Sequence, residues 1–153
     1  MMSYQRSTFL KSLLAPLFEA MGDFSLSQVK PELEKIFSQD CLVHMCFPFN
    51  DMQGSDEFFT NCLEKLSTAV PDLERRNLIV LAATTEHGND WVSTMGNYVG
   101  TFQEQFLDNF PTGHLMHMRF HEFFKFEDRN ITEVQAIWDL SLIHISEPTR
   151  PTP

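Results

Sequence analysis

The stretch Met118–Asp139, MRFHEFFKFEDRNITEVQAIWD, decides how this chain folds. Asp128-Arg129-Asn130 is a polar turn between two runs rich in aromatic and β-branched residues, so the stretch reads as an antiparallel hairpin. Successive side chains of a strand point to opposite faces. One row is therefore Met118, Phe120, Glu122, Phe124 and Phe126, joined across the hairpin by Val134, Ala136 and Trp138; the other is Arg119, His121, Phe123 and Lys125. The first row is an apolar wall that contains one acid. Dry burial of an unpaired carboxylate is costly, so Glu122 is expected either to serve a pocket or to hold a buried partner.

Upstream of the hairpin, Leu73–Glu86 and Trp91–Phe102 are strand-like runs joined by the turn His87-Gly-Asn-Asp90, and the loop Gln103–His114 leads to a strand over Leu115–Glu127. Before Leu73 the period is helical. Phe9, Leu10, Leu13, Leu14, Leu17, Phe18 and Met21 form one stripe, which Pro16 is expected to start or kink. Ser25-Leu-Ser-Gln28 has the form of a capping box ahead of Val29, Leu33, Ile36 and Phe37. Cys41–Phe47 reads as a buried strand, and Ser55 as the cap of a third helix with the stripe Phe58, Phe59, Cys62, Leu63, Leu66 and Val70. Helices first and strands after predict an α+β fold, with three N-terminal helices packed on one face of an antiparallel sheet.

At 153 residues with fifteen phenylalanines, the chain fits one domain with either a thick core or a greasy cavity. A formal charge of −10 without a basic stripe argues against nucleic acid or an anionic membrane as partner. The first residues are too interrupted by Lys11, Ser12, Pro16 and Glu19 to read as a signal peptide or a membrane span. Cys41, Cys46 and Cys62 lack paired spacing and read as reduced, packed thiols, which suggests a cytoplasmic protein. The ending, SLIHISEPTRPTP, breaks the strand pattern and resembles a translated sequencing-adapter read-through. Residues 1–140 are expected to form the domain, and 141–153 a non-native or disordered tail.

Three collinear words, GNYVGTF, FPTG and MRFHEFFKFEDRNITEVQAIWD, resemble the SnoaL-like polyketide cyclase branch of the nuclear transport factor 2-like superfamily, over roughly Asp40 to Leu140. The resemblance implies a cone in which the sheet wraps around the helices and its concave face lines a cavity. It also implies dimers formed through the outer faces of the sheets. The cyclases' acid/base aspartate falls at Ala136 in this chain, which departs from the pattern, while a pocket polar position of the family falls at Glu122.

The resemblance thus implies a hydrophobic small molecule as partner, held against Tyr98, Met118, Phe120, Phe124, Val134, Ala136 and Trp138. Glu122 is the expected proton acceptor, with His44 or Tyr98 polarising a carbonyl oxygen; the product would be an intramolecularly closed ring. Burial among aromatics favours the neutral form of an unpaired carboxyl, which suits a proton shuttle. Two alternatives stand beside this reading. Glu122 could pair with His44 or another buried donor inside a filled core, or the fold could serve as a non-catalytic binding or dimeric scaffold protein. No cofactor and no metal is expected, because His117 and His121 lie about 13 Å apart along a strand and HEFFK lacks the second histidine of a zinc-protease motif.

Overall fold

Residues 4–141 are described by the structure, a computed structural model. The apolar stripe near the N-terminus becomes helix α1 (Tyr4–Gly22), which buries Leu10, Leu14, Leu17, Ala20 and Met21. Pro16 neither starts nor ends it; the helix runs through the proline, because its buried face continues on both sides. Helix α2 (Leu26–Ile36) follows, with Val29, Leu33 and Ile36 inward. Ser25 does occupy its N-cap position, but makes no side-chain cap bond. Its hydroxyl meets that of Ser27 at 3.1 Å, and its carbonyl accepts from the N–H groups of Gln28 and Val29.

The next strand starts earlier than the sequence suggests. Phe37 is the first residue of β1 (Phe37–Met45) rather than the last of a helical stripe. Asp51–Gln53 forms the short strand β2. Gln53 then caps a continuous helical rod made of α3 (Gly54–Phe58), a π-helical turn (Phe59–Leu63) and α4 (Glu64–Ala69), so Ser55 lies inside its first turn and not at the cap. Strands β3 (Glu74–Thr84), β4 (Asp90–Thr101), β5 (Leu115–Glu127) and β6 (Asn130–Trp138) complete the chain. Of the tail expected over 141–153, residues 142–153 lie outside the described residues.

All six strands form one sheet in the order β2-β1-β6-β5-β4-β3. Every pairing is antiparallel except β1 with β6, which is parallel, with Val43 opposite Val134 and Met45 opposite Ala136. The sheet is therefore mixed, where the sequence suggested a purely antiparallel meander. The helices cover its concave face, and the core lies between the layers. At one edge, Arg6 of α1 forms an ion pair with Asp90 at the start of β4, and Thr84 donates a 2.7 Å hydrogen bond to the same carboxylate. Burial alone would raise the pKa of Asp90, but these bonds outweigh it and hold the carboxyl below its usual value.

The outer face carries apolar residues in register across strands. Ile137, His121, Met95 and Ile79 make one transverse row, and Gln135, Phe123, Ser93 and Leu81 the next. Ile79, Leu81, Phe123 and Ile137 are all exposed.

Candidate functional site

The wall read from the hairpin is the concave face. Met118, Phe120, Phe124, Phe126, Val134, Ala136 and Trp138 all point into the core and are buried. Tyr98 joins them, because it stands opposite Met118 on β4, while its neighbour Asn97 takes the other face beside Arg119. Glu122 is 1 % exposed, and its cross-strand partners are Ala136 on one side and Thr94 on the other.

Glu122 is not alone. Arg75, from the second position of β3, reaches across the sheet and donates from Nη1 to Glu122 Oε1 at 2.7 Å. The same Nη1 donates to Tyr98 Oη at 2.7 Å, and Tyr98 in turn donates to Glu122 Oε2 at 3.0 Å. Trp138 Nε1 donates to that second oxygen at 2.8 Å. The remaining guanidinium nitrogens are used as well: Nη2 donates to Thr94 Oγ1 and Nε to Asn77 Oδ1. Thr94 closes the circuit by donating to the backbone carbonyl of Glu122 at 2.9 Å. Among the described residues no buried side-chain polar atom lacks a partner.

The guanidinium is also held by faces of aromatic rings, with its carbon 3.9 Å from the Phe120 centroid and 4.6 Å from that of Phe18 on α1. Burial works to lower the pKa of Arg75, yet the charge of Glu122 and its contact with Tyr98 prevail and raise it above the usual value. Burial, reinforced by the negative charge of Glu122, pushes the Tyr98 phenol well above its ordinary range, against the opposing effect of Arg75. Tyr98 therefore stays protonated and remains a donor. The field of Glu122 also extends to Cys62 on the π-helical turn, whose thiol is raised first by burial and then by that charge.

His44 does not belong to this cluster. On β1 the inward residues are Cys41, Val43 and Met45, which puts His44 on the outer row with Leu42. Its Nδ1 lies 3.1 Å from the carboxylate of Asp51 on β2, away from Glu122. The unbroken apolar run Cys41–Phe47 left the phase of this strand open. The sequence does not single out Arg75, Thr94 and Asn77: β3 shifts register between Asn77 and Ile79, so strict alternation along the strand would put Arg75 on the outer face with Ile79 and Leu81 instead of opposite Tyr98.

The interior is filled around the cluster. Tyr98 packs against Phe120, Trp138 and Phe24 with ring centroids 4.9, 5.2 and 6.0 Å apart. Surface clefts of about 220 to 430 Å³ among the described residues lie at the periphery, lined by other residues than Arg75, Tyr98 and Glu122.

The sequence profile of SnoaL-like polyketide cyclases matches residues 16–144. The chain belongs to this family. Among curated proteins, no sequence matches it. Solved structures share the fold. IdmH from Streptomyces antibioticus, described as a candidate polyketide cyclase, superposes with a TM-score of 0.69 at 18% identity, over 88% of this chain and 94% of its own. A candidate SnoaL-like polyketide cyclase from Jannaschia sp. CCS1 gives a TM-score of 0.75 at 16% identity, over 97% and 99%. An epoxide hydrolase of the LEH-like type from M. tuberculosis gives 0.60 at 12% identity, over 90% and 87%. Nuclear transport factor 2-like architecture is common to this set, as a further relative from Burkholderia thailandensis carries that description. Among the described residues no helix is long and apolar enough to cross a membrane.

Proposed function

We propose that this SnoaL-like protein handles a hydrophobic, carbonyl-bearing small molecule at the Glu122 cluster, by acid/base chemistry. The observation that carries this reading is the pairing of Glu122 with Ala136. The family resemblance puts the acid/base aspartate at Ala136, and directly opposed side chains on antiparallel strands have Cβ atoms only about 5 Å apart. A carboxylate offered from β5 can thus serve nearly the same space as one from β6. A core needs no such group, since replacing a buried ion pair with apolar residues is often neutral or stabilising.

In this reading Glu122 accepts a proton from the carbon beside a substrate carbonyl. Arg75 and Tyr98 turn from Glu122 to the oxygen that becomes an enolate and stabilise its charge by hydrogen bonds. The enolate carbon attacks a second carbonyl of the same molecule, forming a carbon–carbon bond, and the resulting alkoxide takes the proton back from Glu122. The first step can be followed without the natural substrate. Wild-type protein in D2O is expected to accelerate deuterium uptake beside the carbonyl of 1-tetralone, and Glu122→Gln to reduce that rate by about 100-fold. Exchange at the buffer rate with folded wild-type protein would remove the catalytic reading.

A second reading, a non-catalytic scaffold with a filled interior, is favoured by one observation: both oxygens of Glu122 are already occupied by donors. Under either reading we infer a homodimer through the outer face of the sheet, where Ile79, Leu81, Phe123 and Ile137 are exposed on two adjacent transverse rows. A standard interface covers about 800 Å² per partner and holds at tens of micromolar. Sedimentation is expected to report a dimer at that concentration and a monomer for Leu81→Glu combined with Ile137→Glu. A wild-type monomer would exclude it.

A further inference from the structure

The run NLIVLAATT, residues 77–85, carries no charge and no proline. It makes up most of β3, which ends the sheet and among the described residues has β4 as its one neighbour. An edge strand presents a row of unpaired backbone donors and acceptors, and proteins usually blunt it with charge, proline or short length. The opposite edge follows that practice, since β2 has three residues and begins with Asp51. Strand β3 has eleven, and its register shift between Asn77 and Ile79 disturbs only one end of the uncharged run. Leu78 and Leu81 are 59 % and 60 % exposed, so this edge is open to solvent. Which backbone groups are open follows from the turn to β4. The N–H of Thr85 donates to the carbonyl of Asn89, and in an antiparallel ladder hydrogen-bonded pairs alternate with non-hydrogen-bonded ones. Ala83, Leu81 and Ile79 therefore bond to β4, whereas the N–H and C=O groups of Thr84, Ala82 and Val80 point away from it. Among the described residues no other backbone group pairs with them.

We propose that the β3 edge docks the same edge of a second copy of this chain, the two strands running antiparallel about a two-fold axis at Leu81. With Leu81 opposite the partner's Leu81, the open groups of Val80 meet those of the partner's Ala82, and the ladder continues from one sheet into the next. Large then meets small on both faces: Ile79 lies opposite the partner's Ala83, and Val80 opposite the partner's Ala82. The same register brings Arg76 towards the partner's Glu86, and symmetry repeats that contact at the other end. Both side chains are exposed, and Arg76 now meets only the exposed Glu74 on its own strand. A parallel pairing would instead set Glu86 beside the partner's Glu86. This complementarity of size and charge is what selects a second copy as the occupant. The face-to-face dimer leaves these backbone groups uncovered, so edge pairing links dimers and does not replace them. A strand contact involves far fewer than the about 20–30 residues a side of a standard interface, so it forms at higher concentration. The inference is independent of the chemistry assigned to Glu122.

Amide exchange and sedimentation of the full chain test this. Between about 20 µM and about 1 mM protein, the N–H groups of Val80 and Ala82 are expected to exchange at least about threefold more slowly, while that of Leu81, bonded to β4 throughout, stays unchanged. Over the same range the weight-average mass of the wild type is expected to rise. Ala82→Pro removes an edge N–H without touching the bonds to β4, and is expected to abolish the rise. Fast exchange of Val80 and Ala82 at both concentrations overturns the proposal. Slow exchange at both means that another segment of the same chain already lies on the edge, which overturns it too. A mass that rises equally in Ala82→Pro places the contact elsewhere, with the same consequence. Where Ala82→Pro does not fold, the exchange measurement decides on wild-type protein alone. A wild-type monomer at the lower concentration removes the face-to-face dimer but leaves the edge readout intact, because that readout compares two concentrations of one protein.

Discussion

Arg75→Met is expected to destabilise the protein by about 3–5 kcal/mol, because it keeps the length of the side chain but leaves the carboxylate of Glu122 buried without its charge partner. Tyr98 and Trp138 still donate to that carboxylate, but they are neutral and cannot balance its charge. Combining Arg75→Met with Glu122→Leu removes both charges and is expected to recover most of the loss, leaving a favourable coupling between the pair in a double-mutant cycle. Urea melts of the four proteins measure it, with the slope unchanged among them. A loss below about 1 kcal/mol for the single variant would mean that the pair behaves as a solvated surface pair and that the interior is wet.

Gly96→Ala comes next in size, with an expected loss of about 3 kcal/mol or more. Gly96 points inward on β4, and an added methyl group would strike the backbone carbonyl of Arg76 and approach Phe120 Cζ to 2.8 Å. The obstacle is backbone on one side, so no rotamer change relieves it. Beside this contact β3 shifts register between Asn77 and Ile79, a bulge that brings the two strands unusually close. The space left by the missing side chain is filled by the ring of Phe120, on which the guanidinium of Arg75 rests. Displacing that ring should therefore weaken the ion pair as well, and Gly96→Ala combined with Arg75→Met should cost less than the sum of the two. Additive losses would separate the glycine from the cluster.

The hairpin from Met118 to Trp138 was legible because its alternation is strict and its turn is polar; each wall residue named from it faces the core. The helices were legible for the same reason, from stripes at helical spacing. What was hidden depends on contacts remote in sequence. A run such as Cys41–Met45 has the same appearance whether it pairs parallel or antiparallel, so nothing local announces that β1 lies along β6, or that His44 faces outward. Arg75 was hidden by its neighbour: Glu74-Arg75-Arg76 looks like a solvated charge run, and two of its three members are exposed. The acid in the wall was visible, whereas the cation that answers it stands two strands away in the sheet, across β4.

The parallel pairing of β1 with β6 also governs the order in which the molecule can be assembled on a ribosome. Strands β3 to β6 meet neighbours next to them in the chain, and can zip together as each emerges. Strand β1 has no such neighbour apart from the three residues of β2: Phe37 must wait for Ile131, and Met45 for Ala136. Because chains emerge N-terminus first, the apolar face of β1 and the helices around it remain without a sheet to rest on until nearly all of the domain has been translated. A ribosome that stalls before Ala136 therefore holds an open, adhesive nascent chain and not a smaller folded one.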